Sequence, residues 1–228
     1  MNADPFRVVR DFEAALCTYT GAPYSVSVNS CSMAILLAVA WYRWKINEQK
    51  RKVSKAQPPP DITPVFFLPS RTYPSVPMSI RHAGGAVEFS YELHEVYQED
   101  WTGAYSLGHA RANIWDCACR FTGGMYVPGQ VQCVSFHARK LLKIGHGGAI
   151  LHDNAAADAW YRRGRFDGRT EGVLTKEDTY EMLGWHCYLT PDAAARGLHL
   201  LSVYPKDMPD MPKDDYPDLS RWPIFQTT

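Results

Sequence analysis

The chain has little of what marks a specialised class of protein. It has no charge excess, with 24 Lys and Arg facing 24 Asp and Glu over 228 residues. A protein built to hold nucleic acid carries a basic footprint, so nucleic acid is not an expected partner. Long apolar runs are also missing. The longest, Met33 to Tyr42, is about half of what a bilayer span requires, which excludes a membrane helix. Near the N-terminus Asp4, Arg7, Arg10, Asp11 and Glu13 break up any secretory-type apolar run, so a soluble, cytoplasmic protein with reduced thiols is expected. The six cysteines (Cys17, Cys31, Cys117, Cys119, Cys133 and Cys187) are few for a disulfide scaffold in a chain this long. No internal repeat is present. What remains is ordinary globular composition, 46% hydrophobic and 21% charged. A chain of this length buries about 70% of its unfolded surface and folds without staples.

Phe6, Val9, Phe12, Leu16 and Tyr19 recur at helical spacing, and Gly21 stops the pattern. Tyr24 to Ser30 alternates like a strand and runs through Asn29, Ser30 and Cys31 into an apolar helix, Ser32 to about Ile46. Residues 47–64 read as a connector, basic and then proline-rich. Its Lys/Arg cluster fits a solvated helix end better than an anion patch. Further strands are expected at 65–70, 86–92, 112–118, 131–136 and 147–153, with helices at 75–83, 155–163 and 190–201. Tyr204 to Thr228 carries five prolines and reads as an extended arm or a frayed end. Strands alternating with helices give an α/β sandwich with a largely parallel or mixed sheet.

Three places could carry chemistry. Lys140 lies four residues past the strand end at Phe136, in a Gly-rich loop; a desolvated lysine there becomes a Schiff-base nucleophile. Asp116 closes an apolar strand, and open α/β sheets bind ligands at the carboxyl ends of strands. Together they match what pyridoxal phosphate needs: a carboxylate for the pyridine nitrogen and an amine for the aldehyde. Asn29-Ser30-Cys31-Ser32 at a strand-to-helix turn offers free N–H groups and two hydroxyls to a phosphate. Each has a blander alternative: a solvated lysine, a turn former, an ordinary N-cap. Cys117 and Cys119 with His137, His146, His152 and His186 lack zinc-knuckle spacing, so no metal is expected. No local signature supports a cysteine nucleophile. The seven Trp and thirteen Tyr fit packing better than base stacking.

Six segments in order resemble the DegT/DnrJ/StrS family of pyridoxal-phosphate sugar aminotransferases. Phe12 to Leu37 resembles the opening helix, strand and phosphate turn, with Ser30-Cys31-Ser32 where Ser-Gly-Thr is usual. Leu68 to Tyr73 (LPSRTY) resembles the Pro-Ser-x-Thr-aromatic element. Trp115-Asp116-Cys117-Ala118 resembles Glu-Asp-Ala-Ala, and Ser135 to Lys140 matches Ser-Phe-His-x-x-Lys. Gly145-His146-Gly147-Gly148 stands where Gly-Glu-Gly-Gly is usual, and Gly184 to Gly197 resembles the Gly-Tyr-Asn-x-Arg segment and the helix after it. The match spans about residues 6–203.

The resemblance implies the aspartate-aminotransferase-like fold: a three-layer α/β/α large domain over residues 1–203, with a mostly parallel mixed sheet. Residues 204–228 form a proline-rich tail, and a C-terminal small domain is missing or reduced. Pyridoxal 5'-phosphate is the implied cofactor. Lys140 and Asp116 are the implied catalytic residues. Tyr73 stacks on the ring, while Ser30, Cys31, Ser32 and Ser135 surround the phosphate, with Lys143 the competitor of Lys140. Cys119 takes a position near the cofactor where Gln or His is usual. His186, in place of an asparagine, reaches the phosphate of a partner subunit in a homodimer with shared sites; Tyr188 replaces Arg or Lys. Between Tyr91 and Asp116 the chain is shorter than the family pattern. The implied substrates are a keto sugar nucleotide and an amino-acid donor. Alternatives are a partner-dependent or non-catalytic cofactor-binding module, or another pyridoxal-phosphate chemistry on a nucleotide.

Overall fold

A computed structural model describes residues 4–53, 60–89, 101–109 and 111–225. Helix α1 (Arg7–Thr20) buries Val9, Phe12 and Leu16, and ends at Gly21, whose φ of 80° lets its N–H reach the Cys17 carbonyl. Strand β1 (Tyr24–Val28) leads through Asn29 and Ser30 into α2 (Cys31–Val53). Then come β2 (Val65–Leu68), α3 (Ser75–His82), β3 (Ala86–Phe89), β4 (Tyr105–Ser106), β5 (Ile114–Asp116), β6 (Val131–Ser135) and β7 (Gly148–His152). Helices α4 (Ala155–Gly164) and α5 (Pro191–Ser202) follow.

Three expectations need correcting. Helix α2 runs on through the first part of the connector to Val53, because residues 47–53 are mostly good helix formers. Its Lys50, Arg51 and Lys52 sit in the last turn, where cations suit the carbonyl end. They serve that end locally: Arg51 pairs with Asp61 at 3.0 Å and Lys50 donates to the Pro60 carbonyl. The strand expected at 112–118 shrinks to three residues, since Asn113 has a φ of 45° and the Asp116 carboxylate turns the chain by accepting from the Ala118 amide. Strand β4 was not expected; it pairs with β5 and places Tyr105 opposite Asp116. The expected strand at 86–92 is present over Ala86–Phe89, and its remainder lies outside the described residues.

The main sheet has the order β1-β7-β6-β5-β4, and β2 pairs in parallel with β3 in a separate two-stranded sheet. The main sheet is mixed as expected, but three of its four pairings are antiparallel, contrary to the mostly parallel expectation. The reason is connection length: β6–β7 and β4–β5 are joined by short returns, and only a long crossover yields a parallel pair. Strands β1, β5 and β6 nonetheless point the same way, so their carboxyl ends meet at one edge. Helices α1 and α5 cover one face over Val134, Ala149 and Leu151. On the other face α2, α3 and α4 pack over Val26, Val28, Cys133 and Ile150, giving three layers. Among the described residues no helix is long and apolar enough to cross a membrane.

The expected arm is ordered and lies along its own chain. The Tyr19 hydroxyl donates to the Pro205 carbonyl, Arg120 pairs with Asp210 at 2.6 Å, and the Leu219 amide donates to Ser70. Met211 exchanges backbone hydrogen bonds with Cys119 and Gly103. Tyr216, Leu219 and Phe225 are buried.

One buried charge cluster ties α1, β1 and α4 together. Glu13, 3% exposed, accepts from the Ser27 amide and hydroxyl and pairs with Arg162 and Arg165. Burial pushes its carboxyl up, but the two guanidiniums outweigh burial and hold it below the ordinary glutamate range. A pKa lowered on folding stabilises the protein above the unfolded value, and that contribution is lost as pH falls from there. Glu13→Gln is therefore expected to cost about 3 kcal/mol at neutral pH, because it takes the buried carboxylate from the buried Arg165 guanidinium and from half-buried Arg162. Urea unfolding at pH 7 and pH 4 checks this: the gap between wild type and variant should narrow in acid.

Candidate active site

The shared carboxyl edge of β1, β5 and β6 delivers three of the expected segments to one cavity. Its volume is about 490 Å³, and its lining includes Ser30, Cys31, Ser32, Tyr73, Asp116, Cys119, Ser135 and Lys140. Eight of the nine expected cofactor contacts thus come together.

Each is placed by a local feature. Ser30 caps α2: its Oγ accepts from the Met33 amide at 3.3 Å and donates to Asn29. Ser32 meets Ser75 at 2.6 Å, oxygen to oxygen, which brings the starts of α2 and α3 to the same wall. Ser135 ends β6 and accepts from the His137 amide. Unpaired N–H groups of a long helix beside three hydroxyls favour a phosphate.

Gly148 shows how closely the phosphate turn is held. A Cβ there would lie 2.5 Å from the Cys31 amide nitrogen and 2.8 Å from the Val134 carbonyl oxygen, both backbone. Only glycine lets β7 and the turn approach this closely.

Asp116 is buried at the cavity floor, 5% exposed. Burial pushes its carboxyl above the ordinary aspartate range, while the Ala118 amide, the Tyr105 hydroxyl, Lys140 and the Cys31 thiol pull it back. Among the described residues no cation forms an ion pair with it. A protonated ring nitrogen is the partner such a carboxylate lacks. Lys140, half-buried, points its Nζ at the Cys119 Sγ, 3.1 Å away. Burial raises the Cys119 thiol above its usual range, with Lys140 opposing. Lys143 is exposed and lies outside the cavity lining.

The donor set fits pyridoxal phosphate: hydroxyls and helix N–H groups for the phosphate, a buried carboxylate for the ring nitrogen, an amine, and an aromatic wall at Tyr73. Trp101, also in the lining, has a buried Nε1–H without a partner and so can still donate.

His186 is the exception. It lies outside the cavity, 70% exposed at its side chain, with Nδ1 2.9 Å from Asp167 and its ring edge-on to Tyr188. Within one chain it does not join the site.

Sequence reasoning missed Thr72, Trp101, Asp214 and Tyr216 in the lining, and Tyr105 behind them. Thr72 lies inside the LPSRTY segment but carried no role. Tyr216 comes from the arm, sets its ring edge-on to Tyr73 at 6.0 Å, and donates to Asp214 at 3.2 Å. No local pattern marks these two, since only long-range packing brings them in.

The DegT/DnrJ/EryC1/StrS aminotransferase family model matches residues 5–53 and 119–207. Comparison with curated proteins gave no significant match. Among solved structures the chain is similar to the sugar aminotransferase CalS13 from Micromonospora echinospora, at 17% identity and a TM-score of 0.64 over 86% of this chain and 60% of that one. It is also similar to NtdA from Bacillus subtilis with bound cofactor PMP, at 15% identity and a TM-score of 0.60 over 85% of this chain and 47% of that one. DesI, solved in the presence of its TDP-sugar product, matches at 19% identity and a TM-score of 0.56 over 87% and 53%. The chain therefore spans roughly half to three fifths of the length of these structures. With the family model matching more than half of the residues, and the fold agreeing, the chain belongs to the DegT/DnrJ/EryC1/StrS aminotransferase family.

Proposed function

We propose that the chain is a pyridoxal-phosphate-dependent aminotransferase that moves an amino group from an amino acid to a keto sugar nucleotide. The observation that carries this is the convergence of Lys140, Asp116 and the Ser30–Ser32 turn on one cavity at the carboxyl edge of the sheet. The TDP-sugar product named for DesI supports the acceptor class.

When bound, pyridoxal phosphate supplies an electron sink for the pair left on the substrate's α-carbon. The chain supplies everything else. Ser30, Ser32, Ser135 and the first N–H groups of α2 hold the phosphate. Asp116 accepts from the ring N–H and keeps that nitrogen charged, and Tyr73 walls the ring. Lys140 would hold the aldehyde end of the group with its Nζ, and the same Nζ would take the proton from the substrate's α-carbon and return it. Cys119 sits beside Nζ and orients it. Burial raises the Asp116 carboxyl, and a protonated ring nitrogen beside it would offset that cost and hold it ionised. His186 belongs to the partner subunit's site in a homodimer, where it reaches the phosphate.

The test has two stages. Purified chain mixed with pyridoxal phosphate should turn yellow and, after borohydride, carry the cofactor on the peptide containing Lys140. Glutamate and a keto sugar nucleotide should then yield 2-oxoglutarate. Cofactor binding without transfer supports the second reading, a partner-dependent binding module; the chain's partial span of the solved structures favours keeping it. Mixing Lys140→Ala with His186→Ala chains should restore one intact site per mixed dimer. Sedimentation as a monomer with cofactor fully bound rejects the shared site.

A further inference from the structure

Behind Asp116 stands a second layer of polar groups: Thr72, the threonine of the LPSRTY segment, and Tyr105, which no family motif marks. Tyr105 on β4 is directly across from Asp116 on β5, and side chains of directly opposed residues in an antiparallel pair lie on one face. Its hydroxyl meets the Thr72 Oγ1, and it lies on the same side of the strand pair as the Asp116 carboxylate, whose pKa it pulls down. Both residues are buried, Thr72 at 1% exposure and Tyr105 at 6%, so neither hydroxyl has water as an alternative partner. A buried carboxylate only accepts. When Tyr105 gives its proton to the ionised Asp116, its oxygen is left to accept from Thr72. Trp101 lies on the outer side of the tyrosine, ring centroids 4.7 Å apart, and fixes its plane.

We infer that Tyr105 is a positioning residue, the centre of a Thr72–Tyr105–Asp116 relay that holds the floor carboxylate ionised and aimed into the cavity. The inference rests on the proposed role of Asp116 toward the cofactor ring. Thr72 directly precedes Tyr73, so one short segment supplies both the ring wall and the outer end of the relay. The other ionisable groups facing Asp116 are Cys31 from α2, Cys117 and Cys119 just after it, Cys133 from β6, Lys140 from the loop after β6, and Tyr216 from the arm. Of these, Lys140 is the only cation, and its Nζ donates to Cys119. The Ala118 amide donates to Asp116 at 2.9 Å and the Cys31 thiol more weakly at 3.9 Å, which leaves the Tyr105 hydroxyl as the oxygen donor facing the carboxylate.

The deciding measurement needs no activity. Cofactor-free chain carrying carboxyl-13C aspartate is titrated by NMR, with the Asp116 resonance assigned by its loss in Asp116→Asn. In Tyr105→Phe the midpoint should rise by about one pH unit, a tenfold weaker hold on the charge, as expected for losing a hydrogen bond to an ionised group. Thr72→Val should move it the same way by less, and Thr72→Ser should restore the wild-type value. With cofactor present, the acid limb of the binding curve should move up in step; a merely structural role would weaken binding equally at every pH. An unchanged Asp116 midpoint in both Tyr105→Phe and Thr72→Val overturns the relay. Failure of the wild-type chain to bind pyridoxal phosphate, with the midpoint still shifting, overturns the proposed function and leaves the relay standing.

Discussion

Lys140→Ala is expected to abolish the yellow absorbance of the cofactor-loaded chain, while Lys143→Ala leaves it intact. The chromophore requires a nitrogen in conjugation with the ring, so it reports a single bond and not general binding. Lys140 is half-buried in the cavity, its Nζ fixed against Cys119; Lys143 is exposed and outside the lining. The two lysines are separated by one turn of loop, so a register error would exchange their behaviour. Spectra of both variants, with mass spectrometry of the borohydride-reduced peptide, decide it. Bleaching by Lys143→Ala alone would overturn the assignment. Because the alanine variant also loses the group proposed to carry the α-proton, added cofactor should not recover turnover.

Asp116→Asn keeps the shape of the floor and removes its charge. The ring nitrogen then loses the partner that keeps it protonated, and the electron sink is weakened where the reaction needs it. Losing a charge-assisted hydrogen bond of this kind costs about 1.5–3 kcal/mol or more, which is roughly 10–100-fold or more in rate. The amide can still accept from the ring or donate to it, so cofactor affinity should fall less than turnover. The measurement is kcat for amino transfer beside the dissociation constant of the cofactor in the same variant. Unchanged turnover would remove Asp116 from the mechanism. Burial raises this carboxyl, so activity should fall in acid as Asp116 takes up a proton.

The site was more legible than the sheet around it, for a physical reason. Ser135 to Lys140 and Asn29 to Ser32 are contiguous segments whose chemistry depends on local spacing, and such spacing can be read along the chain. Asp116 was legible because it closes an apolar run. Strand β4 has two residues, too few to show a period, and its partner Asp116 is fixed only by folding. The direction of β7 depends on which neighbours it finds, and hydrophobic pattern does not encode that. Asp214 and Tyr216 lie among prolines and acids that read as surface; backbone bonds of Met211 and Leu219 to Cys119, Gly103 and Ser70, distant in sequence, hold this stretch at the site and bury Tyr216. Helix α2 outran its expected end because its charged residues satisfy helix propensity as well as they satisfy a loop.

The path of the arm also has a consequence in time. A ribosome makes the sheet, the Ser30–Ser32 turn and Lys140 well before it makes Asp214 and Tyr216. At about 5–20 residues per second, the interval from Lys140 to Tyr216 is on the order of ten seconds. For that interval a nascent chain has every proposed cofactor group of its own except the wall that Tyr216 places against Tyr73. The cavity is therefore lined in full only once the arm has folded back, and its last wall is the last part of it to be made.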